Sequence, residues 1–384
     1  MTDPAWLVQE FRRQFGSEPK LYRAPGRVNL IGEHTDYNGG FVLPAALELA
    51  TIAAITPRSD RMLRIRSALM GETLEFDLDE PDPRPRKDWS DYVRGVAVML
   101  ERAGQRLTGA DVLIASDVPV GAGLSSSAAL EVAVGFALLT SSGHAIDLPK
   151  LALTCQRAEN EFVGMRCGIM DQFIACEGAA GRALLLDCRS LAWRLVPIDA
   201  KARLVICNTM VHHAHAAGEY NLRRRDCELG VELLSAALPG ITALRDVSVA
   251  DLERHAGLLP ETIYRRCRHI VTENERTVRA ADALEAGDLD LVGRLMDQSH
   301  KSMRDDFEIT CGEVDAMVEL NSAAPGVFGA RMTGGGFGGC AISLVRADAV
   351  EAFKASVAPA YRRATGLDPT IFICWPGAGV GAVE

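Results

Sequence analysis

In the run Gly26-Arg27-Val28-Asn29-Leu30-Ile31-Gly32-Glu33-His34-Thr35-Asp36-Tyr37-Asn38-Gly39-Gly40, five polar side chains (Glu33, His34, Thr35, Asp36 and Asn38) follow a strand-like stretch and precede two glycines. Carboxylates, an imidazole and an amide aimed one way suit a polyhydroxylated ligand such as a sugar, because each hydroxyl needs both donors and acceptors.

A second kind of chemistry is suggested by Pro119-Val120-Gly121-Ala122-Gly123-Leu124-Ser125-Ser126-Ser127-Ala128-Ala129, which runs into an apolar helical pattern. Glycines let the backbone bend closely around a ligand, and the free N–H groups and positive dipole end of the helix favour an anion such as phosphate. The three consecutive hydroxyls exceed what one helix cap requires, and hydroxyl oxygens also suit Mg²⁺. No lysine follows the glycines, which excludes a Walker A loop. Ser126 stands where a dinucleotide fingerprint needs its third glycine. A further cluster, Arg331-Met332-Thr333-Gly334-Gly335-Gly336-Phe337-Gly338-Gly339-Cys340, places five glycines in ten residues. Such a costly concentration just before a strand pattern points to close approach of backbone to a ligand or to the first loop.

The elements that must position these groups follow from periodicity. Asp3-Pro4 is a helix start, with Trp6, Leu7, Phe11 and Phe15 as its apolar stripe. From Leu21 to Leu78 the pattern is β, in a mostly antiparallel sheet with one wet face. Three alternating prolines make 81–86 a surface loop. Ser90 caps a helix, a short buried strand covers 112–114, and helices run to Leu139 and from Leu148 to Phe162. A strand at 204–207 restarts the pattern, helices dominate 214–320, and strands at 341–345 and 370–374 flank a last helix. Strands come in runs and not in strict alternation with helices, so the class is α+β with two domains.

Glycine makes up 35 of the 384 residues, about 9% against a usual ~7%. The formal charge is -10, which argues against a nucleic-acid or anionic-membrane binder because such proteins need a basic footprint. No apolar run reaches the ~18 residues of a membrane span. Ten scattered cysteines without a CxxC pair fit reduced thiols in the cytoplasm. His212, His213 and His215 stand close together, yet no nearby Cys or carboxylate pair completes a metal site, so they read as a cleft edge.

Five segments in order carry a family resemblance, those at 26–40, 119–129 and 331–340 to the signature set of the GHMP small-molecule kinases. They lie at 26–40, 119–129, Gly168-Ile169-Met170-Asp171-Gln172-Phe173, Gly218-Glu219-Tyr220-Asn221-Leu222-Arg223-Arg224, and 331–340. The first, third and fourth resemble the galactokinase branch specifically, and the likeness spans nearly the whole chain. It implies transfer of the γ-phosphoryl of ATP to the anomeric hydroxyl of α-D-galactose, with Mg²⁺ as cofactor. It implies that Gly121, Ala122, Gly123, Leu124, Ser125, Ser126 and Ser127 surround the triphosphate, that Ser127 and Glu159 hold Mg²⁺, and that Ser67 touches the nucleotide. Glu33, His34, Thr35, Asp36 and Tyr220 would bind the sugar, with Asp171 at the reacting hydroxyl and Arg27 beside it. The implied fold is a domain like the second domain of ribosomal protein S5 (1–195) followed by a ferredoxin-like domain (196–384), with the active site between them. A cytoplasmic monomer with small-molecule substrates and no nucleic-acid or membrane partner is the expectation.

Other members of the superfamily, such as mevalonate or homoserine kinases, would keep the glycine loops and change the first motif. A catalytically silent galactose sensor would be expected to lose Asp171 or to shorten the loop after Ser127, and both are intact.

Overall fold

A computed structural model describes residues 2–211 and 216–383; the cluster of His212, His213 and His215 lies outside the described residues. A six-stranded sheet has the order Gly381–Ala382, Lys20–Asn29, Pro44–Pro57, Ala110–Ser116, Met62–Ser67, Thr73–Asp77. All its pairings are antiparallel except that of Met62–Ser67 with Ala110–Ser116. A four-stranded antiparallel sheet follows the order Val327–Thr333, Cys340–Arg346, Ala202–Asn208, Thr370–Cys374. A third sheet joins Phe41–Val42, Arg182–Asp187 and Trp193–Pro197.

The expected wet face is kept at the Met62–Ser67 and Thr73–Asp77 edge of the first sheet, where buried and more exposed residues alternate, and is covered at the sheet's centre. Leu7 and Phe11 of the Pro4–Phe15 helix pack on Ile52, Ala54, Leu113 and Ala115, so the central strand is buried along most of its length. That helix is capped as expected, with Asp3 Oδ1 accepting the Ala5 N–H at 2.9 Å, but Trp6 points to solvent. The Ser126–Ser141 helix packs on Lys20–Asn29 and Pro44–Pro57. Its residues are apolar on nearly every side because it is enclosed by the sheet and neighbouring helices.

Two boundaries differ from the periodic reading. Ser90 is the first residue of the Ser90–Arg102 helix and gives it no side-chain cap; its hydroxyl donates to Asp88. The helix expected over 148–162 is α only to Arg157, after which Ala158–Val163 widens into a π-turn. A second π-turn covers Met303–Phe307.

Both large sheets contribute to one apolar core. Val28, Leu30 and Leu47 meet Leu204, Ile206, Ile342 and Leu344 there without exposure to solvent. The chain end also returns to its beginning, with Gly381–Ala382 pairing Tyr22 and Arg23 at the edge of the first sheet. Among the described residues, no helix is long and apolar enough to cross a membrane.

Candidate active site

The Lys20–Asn29 strand carries an irregularity between Pro25 and Arg27, where the register against Pro44–Pro57 shifts. A side chain at Gly26 would collide with the Leu124 carbonyl at 2.7 Å and with Val118 at 2.9 Å, so only glycine lets the first glycine loop lie this close. The Arg27 N–H donates to the Leu124 carbonyl at 3.1 Å. Its guanidinium grips Asp171 in a two-pronged pair, Nε to Oδ1 at 2.7 Å and Nη2 to Oδ2 at 2.8 Å, while Nη1 donates to the Gly123 carbonyl at 2.6 Å.

Asp171 is the second residue of the Met170–Glu177 helix. It also accepts a short hydrogen bond from the Ser125 hydroxyl, 2.5 Å. Ser125 sits in left-handed backbone geometry with φ 60° and turns away from the helix it precedes, whose first amides receive no side-chain cap from it. A serine held there costs on the order of 1–3 kcal/mol, and those N–H groups remain suited to an anion.

The second glycine cluster packs on the first. A Cβ at Gly334 would lie 2.9 Å from the Gly123 carbonyl oxygen, and one at Gly339 would lie 3.0 Å from that of Ala122. The two loops wall a cavity of about 370 Å³, lined by Gly121, Gly123, Ser125, Ser126, Ser127 and the loop from Gly335 to Gly339. Ala122 and Leu124 do not line it; their side chains are buried in the core. Ser67 lines neither this cavity nor the next. It ends the Met62–Ser67 strand, and its hydroxyl accepts the Met70 N–H at 3.2 Å.

A smaller cavity of about 150 Å³ adjoins and contains Glu33, His34, Asp36, Glu159 and Gly168. Arg27, Ser127, Asp171 and Tyr220 line both cavities, so the Arg27–Asp171 pair stands at their junction. His34, at φ 62°, is enclosed by the rings of Tyr37, Tyr220 and Phe307 at 5.6, 5.0 and 4.9 Å. Burial pushes its imidazole down to about 3, leaving it neutral. Nε2 faces the Gly335 carbonyl at 3.3 Å and Nδ1 faces the Tyr37 hydroxyl at 2.7 Å, so the proton belongs on Nε2.

Burial, followed by the charge of Asp171, pushes Asp36 up to about 6. The carboxylate lies against Gly168, where an added Cβ would fall 1.8 Å from Oδ2. Thr35 does not line the cavity. It is buried, with its hydroxyl 2.8 and 2.6 Å from the Gly32 and Phe41 carbonyl oxygens, and so fixes the shape of the loop. Glu33 lines the cavity but also holds structure, accepting the Gly334 N–H at 2.8 Å and Asn29 Nδ2 at 3.0 Å.

Glu159 is carried by the π-turn and buried; burial and the nearby Asp171 push it up to about 7. Its neighbours are Gln172, Cys167 and Ser127, none of them cationic. Glu131 lies behind it, raised well above the carboxylate range by burial and by Glu159. Among the described residues, no group of three or more His, Cys, Asp or Glu side chains could hold a metal.

Several contributors carry no signal in the motifs. Glu273 reaches the polar Gly32–Asp36 loop from a distant helix, accepting the Gly32 N–H at 2.9 Å. His269 approaches the Glu33 carbonyl at 3.2 Å, and Phe307 supports both histidine rings. Tyr92 also lines the smaller cavity.

The galactokinase galactose-binding signature matches residues 9–57, the GHMP kinase N-terminal domain 91–179 and the GHMP kinase C-terminal domain 280–362. A galactokinase of Chloroflexus aurantiacus is 50% identical over 384 residues, covering 100% of this chain and 98% of that protein. The crystal structure of Lactococcus lactis galactokinase complexed with galactose superposes with a TM-score of 0.95 at 37% identity, covering 99% of each chain. Methanococcus jannaschii mevalonate kinase, at 18% identity and a TM-score of 0.65 over 94% of this chain and 99% of its own, shares the fold. The signature, the full-length relatives and the shared architecture agree: the chain belongs to the galactokinase family of GHMP kinases.

Proposed function

We propose that the cleft transfers the γ-phosphoryl group of ATP to the anomeric hydroxyl of galactose, giving galactose 1-phosphate and ADP. The observation that carries this reading is the Arg27–Asp171 pair at the junction of the polar cavity and the glycine-walled one. A sugar hydroxyl in the first and a terminal phosphate in the second would meet beside it.

In this reading the sugar oxygen forms a bond to the γ-phosphorus as the bond to the β,γ-bridging oxygen breaks, and the hydroxyl proton passes to an Asp171 carboxylate oxygen. Arg27 and Ser125 hold that carboxylate in place through hydrogen bonds to both its oxygens. The guanidinium also places positive charge where the phosphoryl group moves, and phosphoryl transfer depends chiefly on such positioning and neutralisation. His34, Asp36 and Tyr220 face the sugar; Glu33 and Thr35 shape the loop that presents them. The Gly121–Ser127 segment and the start of the following helix receive the triphosphate.

The residues also fit Mg²⁺. Ser127 and Glu159 offer the oxygen donors this cation takes, in one small cavity, and among the described residues Glu159 is a buried carboxylate without a cationic neighbour. Two protein ligands suffice because phosphate oxygens and water complete the shell of such ions. Bound there, Mg²⁺ neutralises charge on the phosphates of ATP.

ADP release from Mg-ATP against galactose, N-acetylgalactosamine, arabinose, glucose and mevalonate tests the assignment. Turnover should be greatest with galactose. Sugar binding without turnover on any of them would replace the kinase with a galactose sensor.

A further inference from the structure

The residue after Asp171 faces the opposite way, into the protein. Gln172 is wholly buried, and its amide nitrogen donates to Glu131 Oε2 at 2.9 Å and to Glu159 Oε2 at 2.7 Å. A primary amide has two N–H donors, so this one is fully used in tying two carboxyl groups together. Glu131 is also wholly buried and lies one turn beyond Ser127 on the same helix. The group therefore connects the helix of Ser127, the helix of Asp171 and the π-turn that carries Glu159.

Packing does not account for these residues. Among the described residues, Glu131 Oε1 and Gln172 Oε1 have no hydrogen-bond partner, and the chain neighbours Val132, Ala158 and Phe173 belong to the buried apolar core. Buried polar atoms left unpaired are costly, and hydrocarbon side chains of similar size would avoid that cost. What the polar pair supplies is direction: with one Glu159 oxygen held by Gln172, the carboxylate cannot turn freely about its own bonds.

We propose that Gln172, anchored by Glu131, is a positioning residue that aims Glu159 at the cation accompanying ATP. This rests on Glu159 as a Mg²⁺ ligand. Because Gln172 follows Asp171 in one short helix, the same brace fixes the cation ligand relative to the residue that takes the sugar proton. Residues that orient metal ligands from behind characteristically change metal affinity about 10–100-fold when altered.

The test uses Mn²⁺ as a paramagnetic probe, titrated into full-length protein saturated with a non-hydrolysable ATP analogue and followed by electron paramagnetic resonance. Gln172→Leu removes the donor; Gln172→Asn keeps an amide too short to span both carboxyls and serves if the leucine variant does not fold. Each should weaken Mn²⁺ by about tenfold or more, with metal-free galactose binding unchanged by calorimetry. Glu131→Gln retains an oxygen that can accept from Gln172 and should keep most of the affinity. Wild-type Mn²⁺ affinity in folded Gln172→Asn, with loss in Glu159→Gln, would overturn the brace alone. Wild-type affinity in Glu159→Gln would overturn the ligand assignment and the brace with it.

Discussion

Asp171 accepts hydrogen bonds from Arg27 and Ser125 at its two oxygens, and its side chain is 27% exposed and lines both cavities. As the proposed base, it should be replaceable by Asn with loss of turnover of about 10²–10⁴-fold and little loss of galactose affinity, measured by coupled assay and calorimetry. Near-wild-type turnover would remove it from that role. Asp36 adds a pH dependence. Its group is pushed up to about 6 by burial and by Asp171, so the carboxylate proposed to accept sugar hydroxyls is present above that value and is lost as pH falls through it. Galactose affinity in calorimetric titrations should therefore decline below pH of about 6, and Asp36→Ala should lose ~1–3 kcal/mol of binding and flatten the profile. A profile in Asp36→Ala as steep as that of wild type would assign the titration elsewhere. At this scale the motifs announced most of the site, because they keep chemistry close in sequence: Glu33 to Asp36 lie on one turn. They could not announce Glu273 or His269, whose contacts with that turn span 241 and 236 residues. Nor could they separate Thr35, which bonds its own loop, from Asp36, which faces the cavity.

The elements matter through where their backbones touch. Gly334 has φ 93° and lies against the Gly123 backbone, and Gly339 lies against Ala122, so the two glycine clusters form one wall. Gly334→Ala would strain its own φ and push the loops apart, since a backbone carbonyl cannot move aside as a flexible side chain can. The expected result is a rise in KM for ATP on the order of tenfold, about 1–3 kcal/mol, with galactose binding in the absence of nucleotide less affected. An unchanged KM would mean the loops separate without consequence for the nucleotide. Glycine excess and the serine-rich helix start made both loops visible in sequence. The π-turns were not visible, because one inserted residue leaves the apolar period on each side nearly intact, and Glu159 owes its place to one of them. The covered centre of the first sheet was hidden for a different reason: the covering helix, Pro4–Phe15, carries an ordinary amphipathic pattern that does not name its partner.

Across the whole molecule, buried charges join the polar Gly32–Asp36 loop to the four-stranded sheet and the helices beside it. Arg331 has no exposed surface and lies 3.6 Å from Glu33 and 3.8 Å from Glu273, while Arg276 holds the other Glu273 oxygen at 2.7 Å. Burial opposes charge on Glu273, yet Arg276 and Arg331 outweigh it and bring the carboxylate down to about 2. The stabilisation is present above its ordinary 4.5 and is lost as pH falls towards that lower value. Arg331→Met would leave acidic groups buried without this partner and should cost ~3–5 kcal/mol in chemical denaturation; a loss under ~1 kcal/mol would show that the network does not join the parts. Composition indicated the general character of the chain, and the charge of -10 coexists with a cavity lined by glycine loops, a helix start and Arg27. The proposed function stands on which sugar hydroxyl receives the phosphoryl group. Phosphorus NMR of the wild-type protein with Mg-ATP and galactose should show galactose 1-phosphate growing in step with ADP. Inorganic phosphate alone, or an ester at another carbon, would contradict it.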